Sequence, residues 1–170
     1  TGVQTFALPI SLGLYVPLHT ARAWMPERYI TRSAATGGLL CQFDYLAEDF
    51  PLDAARGLVA EAAKNRFAWY GDFYPLTPAG IAQDEFVAYQ FHRPDLNQGI
   101  VLAFRRPECR YRGIILGIYG MDLNAQYEVE ICDGAGITTK TTLPGAELAE
   151  NLELRIHEPG SSLLVRYRQQ

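Results

Sequence analysis

Two polar residues stand where the ends of predicted strands could place them in a binding site. His19 ends an apolar run at residues 12–19, and Asp44 lies near the end of a second apolar run at residues 38–45. Continuous apolar runs of this length are typical of parallel strands that are buried on both faces. Barrels built from such strands bind ligands at the carboxyl ends of the strands, so both residues are candidate substrate-binding residues. The alternative is that each side chain ends its strand and hydrogen-bonds its own loop.

The carboxylates around Asp44 suggest a further kind of chemistry. Four of them fall close together in the sequence, namely Asp44, Glu48, Asp49 and Asp53. Two facing carboxyl groups can act as acid and nucleophile in the hydrolysis of a glycosidic bond. Asp49 and Asp53 also lie at the start of a predicted helix, where negative charge is favourable for electrostatic reasons alone. We prefer that explanation for these two residues.

An aromatic-rich stretch, FAWYGDFYPLTP, follows the predicted helix at residues 67–78. Exposed aromatic rings could stack on the C–H face of a sugar. Asp72, in the Gly-Asp turn of this stretch, is then a third candidate substrate-binding residue. The alternative, which we favour for the rings, is a junction between helix and sheet in which they are buried, since aromatic side chains stabilise proteins mainly through burial.

Signatures of several other kinds of site are absent. The sequence has no G-x-S-x-G motif, no P-loop, no H-E-x-x-H and no G-x-G-x-x-G. The histidines lack metal-ligand spacing and the cysteines form no C-x-x-C pair, so we predict no metal, no cofactor and no disulfide framework. We expect buried thiols at Cys41, Cys109 and Cys132, a solvent-exposed His157 and a structural His92.

The composition is that of a soluble globular domain. Of the 170 residues, 48% are hydrophobic and 20% are charged, which excludes disorder and coiled coil. The formal net charge of -4, without blocks of Lys or Arg, argues against nucleic acid or a membrane surface as partner. No signal-peptide pattern is visible at the start, which predicts a cytoplasmic location.

The predicted elements change in character near Thr77. Before it, a helix is expected at residues 52–66 because apolar side chains recur at helical spacing. Gly57 weakens this helix by about 1 kcal/mol relative to alanine. After Asp84 the pattern alternates with a period of two, which is typical of antiparallel strands. Turn-forming residues divide this region into strands at 86–91, 100–106, 114–119, 126–132, 137–142, 152–157 and 163–168.

Several strings of the sequence carry a family resemblance. They are YGDFYPLTP at 70–78, AYQFHRPDL at 88–96, GIVLAFRR at 99–106 and GMDLNAQYEV at 120–129. Together they resemble the C-terminal part of melibiase-type α-galactosidases, which are retaining glycoside hydrolases of the family numbered thirty-six. LYVPLH at 14–19 and YITRSA at 29–34 are similar to the run through the last barrel strands of that family. One departure is Phe86, where related chains often carry Trp.

The resemblance implies a fold of two parts. Residues 11–77 would be an α/β remnant, consisting of the last strands and helix of a TIM-type barrel, and residues 78–170 an all-β antiparallel sandwich. His19 and Asp44 would then lie near the rim of the barrel pocket. We interpret residues 1–10 as a non-native leader, and the absence of an initial Met as a sign of a truncated reading frame.

The catalytic motifs of the family are missing from this sequence. The nucleophile is expected in a Lys-x-Asp type motif and the acid/base in a Ser-Asp context, but no Lys precedes Asp44 and no Ser-Asp pair occurs. The resemblance therefore implies catalytic carboxylates upstream, a chain that is inactive alone, and a parent enzyme that binds an α-galactoside or related carbohydrate and can be an oligomer. The alternatives are a non-catalytic carbohydrate-binding sandwich and a structural accessory sandwich.

Overall fold

The structure is a computed structural model that describes residues 21–78 and 80–170. The leader interpreted at residues 1–10 and the strand predicted at residues 12–19 lie outside the described residues. The described chain begins with two parallel strands and two helices, and it continues as antiparallel sheet with one further helix. This mostly antiparallel part is consistent with the sandwich predicted from the sequence.

The first part consists of two successive strand–helix units. These are β1 (Arg22–Ala23), α1 (Arg28–Ala34), β2 (Leu40–Cys41) and α2 (Leu52–Asn65). The two strands pair in parallel, with Arg22 opposite Leu40 and Ala23 opposite Cys41. Parallel neighbours need a crossover connection, and α1 lies in the connection between them.

The expectation of a long buried strand at residues 38–45 is wrong. The strand spans only Leu40–Cys41, and both residues are exposed. A parallel strand is buried where strands flank both of its edges and helices cover both faces, whereas β2 pairs only with β1 among the described residues. Cys41 is consequently an exposed thiol, which corrects the prediction of three buried cysteines, while Cys109 and Cys132 are buried as expected.

Helix α2 forms where the helical spacing predicts it and ends one residue before the expected end. Its buried side is formed by Ala55, Leu58, Ala62 and Asn65. Val59 belongs to the predicted apolar stripe but is 47% exposed, so part of the stripe faces outward. Gly57 faces open space, with no atom within 4 Å of the position that a Cβ would take.

Among the described residues, no helix is long and apolar enough to cross a membrane.

A six-stranded antiparallel sheet forms the centre of the molecule. Its strands are β3 (Asp72–Pro75), β4 (Phe86–Arg93), β5 (Gln98–Arg105), β7 (Gln126–Cys132), β8 (Thr138–Pro144) and β10 (Ser161–Gln169). They lie in the order β3-β4-β5-β10-β7-β8. Strand β3 was not expected, because the aromatic stretch that contains it does not alternate. The domain boundary after residue 77 stays a prediction.

A smaller sheet and a short helix lie on one face of this large sheet. The small sheet pairs β6 (Gly113–Leu116) with β9 (Leu152–Arg155), and α3 (Gly145–Asn151) precedes β9. All seven strands predicted after Asp84 are present; the strand at 126–132 has the predicted ends, and each of the other six is shifted at one end or both. Helices α1 and α3 were not expected, because seven residues are too few to display a helical period.

The inner strands β4 and β5 of the large sheet are buried on both faces. Residues with even numbers in β4, such as Ala88, pack with β6, β9 and α3 in one core. Residues with odd numbers, such as Tyr89, pack in a second core against the side of the sheet that carries α1 and the 3₁₀ helix Arg66–Tyr70. Alternate side chains of a strand point to opposite faces, so one strand contributes to both cores.

A buried arginine joins the first part of the chain to the large sheet. Arg32 in α1 is 3% exposed, and its guanidinium donates to both carboxylate oxygens of Glu61 in α2 at 2.8 and 2.9 Å. It also donates to the backbone oxygen of Ser162 in β10 at 3.0 Å and to the sulfur of Cys132 in β7 at 3.2 Å. Bidentate pairs of this kind are specific in geometry, so the guanidinium fixes both helices against two inner strands.

We expect Arg32→Leu to lower the free energy of unfolding by about 3 kcal/mol, because it leaves the partly buried Glu61 carboxylate without its main partner. Urea denaturation followed by far-UV circular dichroism measures the change. The matched control is Arg56→Leu, which removes an arginine that is 70% exposed in its ion pair with Asp53. The control should shift the free energy by about 0.5 kcal/mol or less. Equal effects of the two variants would contradict the role assigned to Arg32.

Candidate functional site

The binding residues predicted from the sequence fall in separate parts of the structure. Asp44 lies in the loop after β2, where its side chain is exposed and its backbone oxygen accepts a hydrogen bond from Ala47 at 3.2 Å. Asp72 begins β3 at the edge of the large sheet and is also exposed. His19 lies outside the described residues. Asp44 thus lies in a loop and Asp72 on the large sheet, and a binding role for any of the three stays a prediction.

The loop that carries Asp44 forms one wall of an apolar groove, and the outer side of α2 forms the other. The groove has a volume of about 630 Å³. The rings of Phe43 and Phe50 lie 6.1 Å apart in the loop wall, and Val59 and Ala63 line the helix wall. A lining of this kind offers few hydrogen-bonding groups, so it suits contact with another apolar surface rather than with a hydroxylated ligand.

Asp72 lies beside a group of polar side chains on the large sheet. In the antiparallel pairing of β3 with β4, Asp72 stands opposite His92 and Tyr74 stands opposite Gln90. Residues that are directly opposite share one face of the sheet, so all four side chains lie on the same face. The Tyr74 hydroxyl donates a hydrogen bond to Asp72 Oδ2 at 3.4 Å.

Hydrogen bonds link the buried side chains of this group to Tyr167 in β10. Gln90 is fully buried and donates to the Tyr167 hydroxyl at 2.7 Å. That hydroxyl lies 3.0 Å from Nδ1 of His92, which is 3% exposed. Because the hydroxyl accepts from Gln90, its own proton is free to point at Nδ1, an arrangement that requires a neutral imidazole with Nδ1 as acceptor.

The surroundings of His92 favour its neutral form. Burial lowers the pKa of His92, while the charge of the nearby Asp72 carboxylate opposes that shift. Burial also raises the pKa of Tyr167, so its hydroxyl remains a proton donor. The chain passes directly over the imidazole at Gly120, where a Cβ would lie 2.6 Å from His92 Cδ2. Gly120 has a φ of 77°, so the turn requires glycine for both space and conformation.

The carboxylates near the helices are neutralised by basic side chains. Burial raises the pKa of Glu61, but hydrogen bonds from Arg32 and the charges of Arg32, Arg166 and Arg28 hold it below its usual value. A hydrogen bond from Lys64, with the charge of Arg166, lowers the pKa of Glu130. A general acid for glycoside hydrolysis needs a raised pKa, so neither carboxyl suits that role. Within residues 21–78 and 80–170, no cluster of three or more metal-ligating side chains occurs.

Sequence reasoning selected Asp72 but missed the residues that surround it. Gln90 and His92 occupy inward positions of β4, in register with the core residues Phe86 and Ala88. A polar residue at an inward position of an otherwise apolar strand must be hydrogen-bonded inside the protein. That signal is present in the sequence. The partner Tyr167 is distant in sequence, and only the pairing of β10 between β5 and β7 brings it near.

Sequence comparison finds no relative, since no family model and no curated protein matches the chain. Comparison with solved structures does find similar folds. The GH36 alpha-galactosidase AgaB from Geobacillus stearothermophilus matches 99% of this chain with a TM-score of 0.78 at 19% sequence identity. A variant of AgaA from the same organism, in complex with raffinose, matches 100% of this chain with a TM-score of 0.77 at 18% identity. The alpha-galactosidase from Lactobacillus brevis matches 83% with a TM-score of 0.63 at 16% identity.

The chain has the fold of the C-terminal domain of GH36 alpha-galactosidases. The family resemblance inferred from the sequence strings is thereby confirmed at the level of the fold, which is all that identities this low establish. The chain spans about a quarter of the length of the two Geobacillus enzymes, 25% for the AgaA variant and 24% for AgaB.

Because the imidazole of His92 is buried, we expect the free energy of unfolding to depend on pH. In the unfolded chain His92 takes up a proton near pH 6.5, whereas in the folded protein it does so only at a lower pH. Between these two values the unfolded state binds more protons, so the free energy of unfolding falls as the pH drops below about 6.5.

We expect His92→Asn to make this fall shallower, because the variant lacks the titrating ring. Urea denaturation of both proteins at a series of pH values from about 7.5 to about 5 measures the slopes, with the His titration range as the window. The control His157→Asn removes an exposed imidazole and should keep the wild-type slope. If His92→Asn and the wild type show the same slope, His92 does not contribute to the pH-dependence.

Proposed function

We propose that this chain is the C-terminal part of a retaining glycoside hydrolase that acts on α-galactosides, with its catalytic carboxylates in a preceding part of the enzyme. The fold similarity to GH36 alpha-galactosidases supports the kind of enzyme. In such an enzyme one carboxylate attacks the anomeric carbon and a second protonates the leaving oxygen, the two being about 5 Å apart. The absence of a Lys-x-Asp motif and of a Ser-Asp pair supports placing both carboxylates outside this sequence.

The parallel pairing of β1 with β2 is the observation that carries the proposal. Arg22 stands opposite Leu40 across two parallel strands that α1 connects, and α2 follows the second strand. Two successive strand–helix units with parallel strands are the repeating unit of a (β/α) barrel. In this proposal they are the last units of the barrel, and Asp44 lies near the rim of the substrate pocket.

The apolar groove supports the same assignment. Among the side chains that line the groove, Tyr45 is 72% exposed, Leu52 49% and Val59 47%, which is unusual for large apolar side chains that share a groove on a free surface. In a barrel, the strand before β1 and the helices beside α2 would cover such side chains. We propose that the groove is the surface on which the rest of the barrel packs, and that the sandwich stiffens this end of the barrel.

The chain alone should not hydrolyse an aryl α-galactoside, because it lacks the catalytic pair. Release of nitrophenol from 4-nitrophenyl α-galactoside, measured with the purified chain and with its Asp44→Asn variant, tests this. Turnover that Asp44→Asn abolishes would place a catalytic carboxylate in this chain and overturn the proposal. The coding sequence upstream of Thr1 is the independent check: a Lys-x-Asp motif followed by a Ser-Asp context is expected there.

If the groove is a packing surface, the isolated chain should bind a neutral apolar dye and self-associate. We expect Val59→Ser to reduce Nile red fluorescence and the fraction of dimer in sedimentation velocity, because Val59 lines the groove. The matched control is Ile115→Ser, which removes an apolar side chain that is 64% exposed on β6 in the small sheet. Equal effects of the two substitutions would show that dye binding is not specific to the groove.

A further inference from the structure

Two tyrosine rings form a stacked pair at the open edge of the large sheet. The rings of Tyr74 in β3 and Tyr119 in the segment after β6 have centroids 4.9 Å apart and an interplanar angle of 22°. Tyr74 is half-buried beneath its neighbour, while Tyr119 is 54% exposed. The stack therefore presents one broad ring surface to solvent at the edge strand.

The backbone of Tyr119 is held by a buried side chain of the core. Fully buried Gln90 donates from Nε2 to the backbone oxygen of Tyr119 at 2.8 Å, and its Oε1 accepts from the backbone N–H of Tyr119, also at 2.8 Å. The third bond of Gln90, to the Tyr167 hydroxyl, fixes the amide itself. The turn at Gly120 then rests on His92. These contacts set the position of Tyr119 before any ligand arrives, which lowers the entropic cost of binding.

Hydrogen-bonding groups lie directly beside the ring surface. The Asp72 carboxylate is exposed, and the Tyr74 hydroxyl that donates to it joins it to the stack. Partial burial and the Asp72 carboxylate raise the pKa of Tyr74, so this hydroxyl remains protonated. A flat apolar ring with an adjacent carboxylate matches a ligand that has an apolar face and a rim of hydroxyl donors. A pyranose ring has both, with axial C–H groups on one face and hydroxyls around its edge.

We propose that Tyr119, Tyr74 and Asp72 form a binding site for a pyranose sugar on this domain. The sugar stacks its C–H face on Tyr119, and one of its hydroxyls donates to Asp72. The site lies on the large sheet, where Asp72 and Tyr74 belong to the edge strand β3. It does not depend on the proposed function, since no catalytic group takes part. Its role would be to hold a saccharide chain or polymer close to the protein.

The test is a titration of the 170-residue chain with methyl α-galactoside and with raffinose. Saturation-transfer difference NMR reports which sugar protons contact the protein, and the change of tyrosine ring shifts with concentration gives the dissociation constant. We expect saturable binding, with saturation strongest on the ring C–H protons. Sorbitol, which carries hydroxyls but has no ring face, should not bind.

Four substitutions make the test specific. Tyr119→Ala should weaken binding about tenfold or more, equivalent to about 1.4 kcal/mol. Asp72→Asn should weaken it less, because the stacking face remains. Tyr119→Trp should retain binding, since it offers a larger ring at the same place. The control Tyr111→Ala, which removes a tyrosine that is 74% exposed at the opposite end of β6, should leave binding unchanged.

Three outcomes would overturn the proposal. They are the absence of saturable binding by the wild-type chain, undiminished binding by Tyr119→Ala, and equal losses in Tyr119→Ala and Tyr111→Ala. Because Tyr119 is exposed and Gln90 contacts only its backbone, each variant is expected to fold, and far-UV circular dichroism checks this. Failure of the sugar titration would leave the proposed function standing, because turnover and the upstream sequence test that function separately.

Discussion

A buried guanidinium group provides several of the directional links between the two parts of the chain. Arg32 occupies a position where a charged side chain is costly unless every donor has an acceptor. Its donors reach Glu61 in α2, Ser162 in β10 and the thiol of Cys132 in β7. Apolar contacts alone would allow the helices to slide over the sheet, because such contacts have no direction. The arginine supplies that direction, and it does so from α1, the element that connects the two parallel strands.

The second constraint is that strands β4 and β5 of the large sheet have no solvent-facing side. Both strands must place apolar side chains on both faces, which explains why they appear in the sequence as nearly continuous apolar runs although they are antiparallel. Polar residues at inward positions of such strands need partners from other strands. Gln90 and His92 meet this requirement through Tyr167 and the turn at Gly120, and in doing so they order the surface at Tyr119.

Much of the antiparallel part could be predicted from the sequence, because its strands alternate and are separated by turn residues. Residues 126–132 and 152–155 show this most clearly, with Val129 and Leu154 buried in the core as the period of two predicts. The parallel part could not be predicted to the same extent. The apolar run at residues 38–45 indicates a buried strand, but burial depends on neighbours that the pattern cannot specify. The candidate site was recognised only at Asp72, because its other members come together through strand order.

Gly57 is a position at which the stability of this fold is not at its maximum. It lies in the middle of α2 and costs that helix about 1 kcal/mol relative to alanine, yet nothing occupies the space that a methyl group would fill. Natural proteins commonly keep such unused stability, because selection acts only on variants that fall below the threshold for function. In this domain, replacing Gly57 by alanine would therefore add stability that directed evolution could use. Alanine there would let the chain tolerate a costly change elsewhere, such as a new specificity at its surface, without losing its fold.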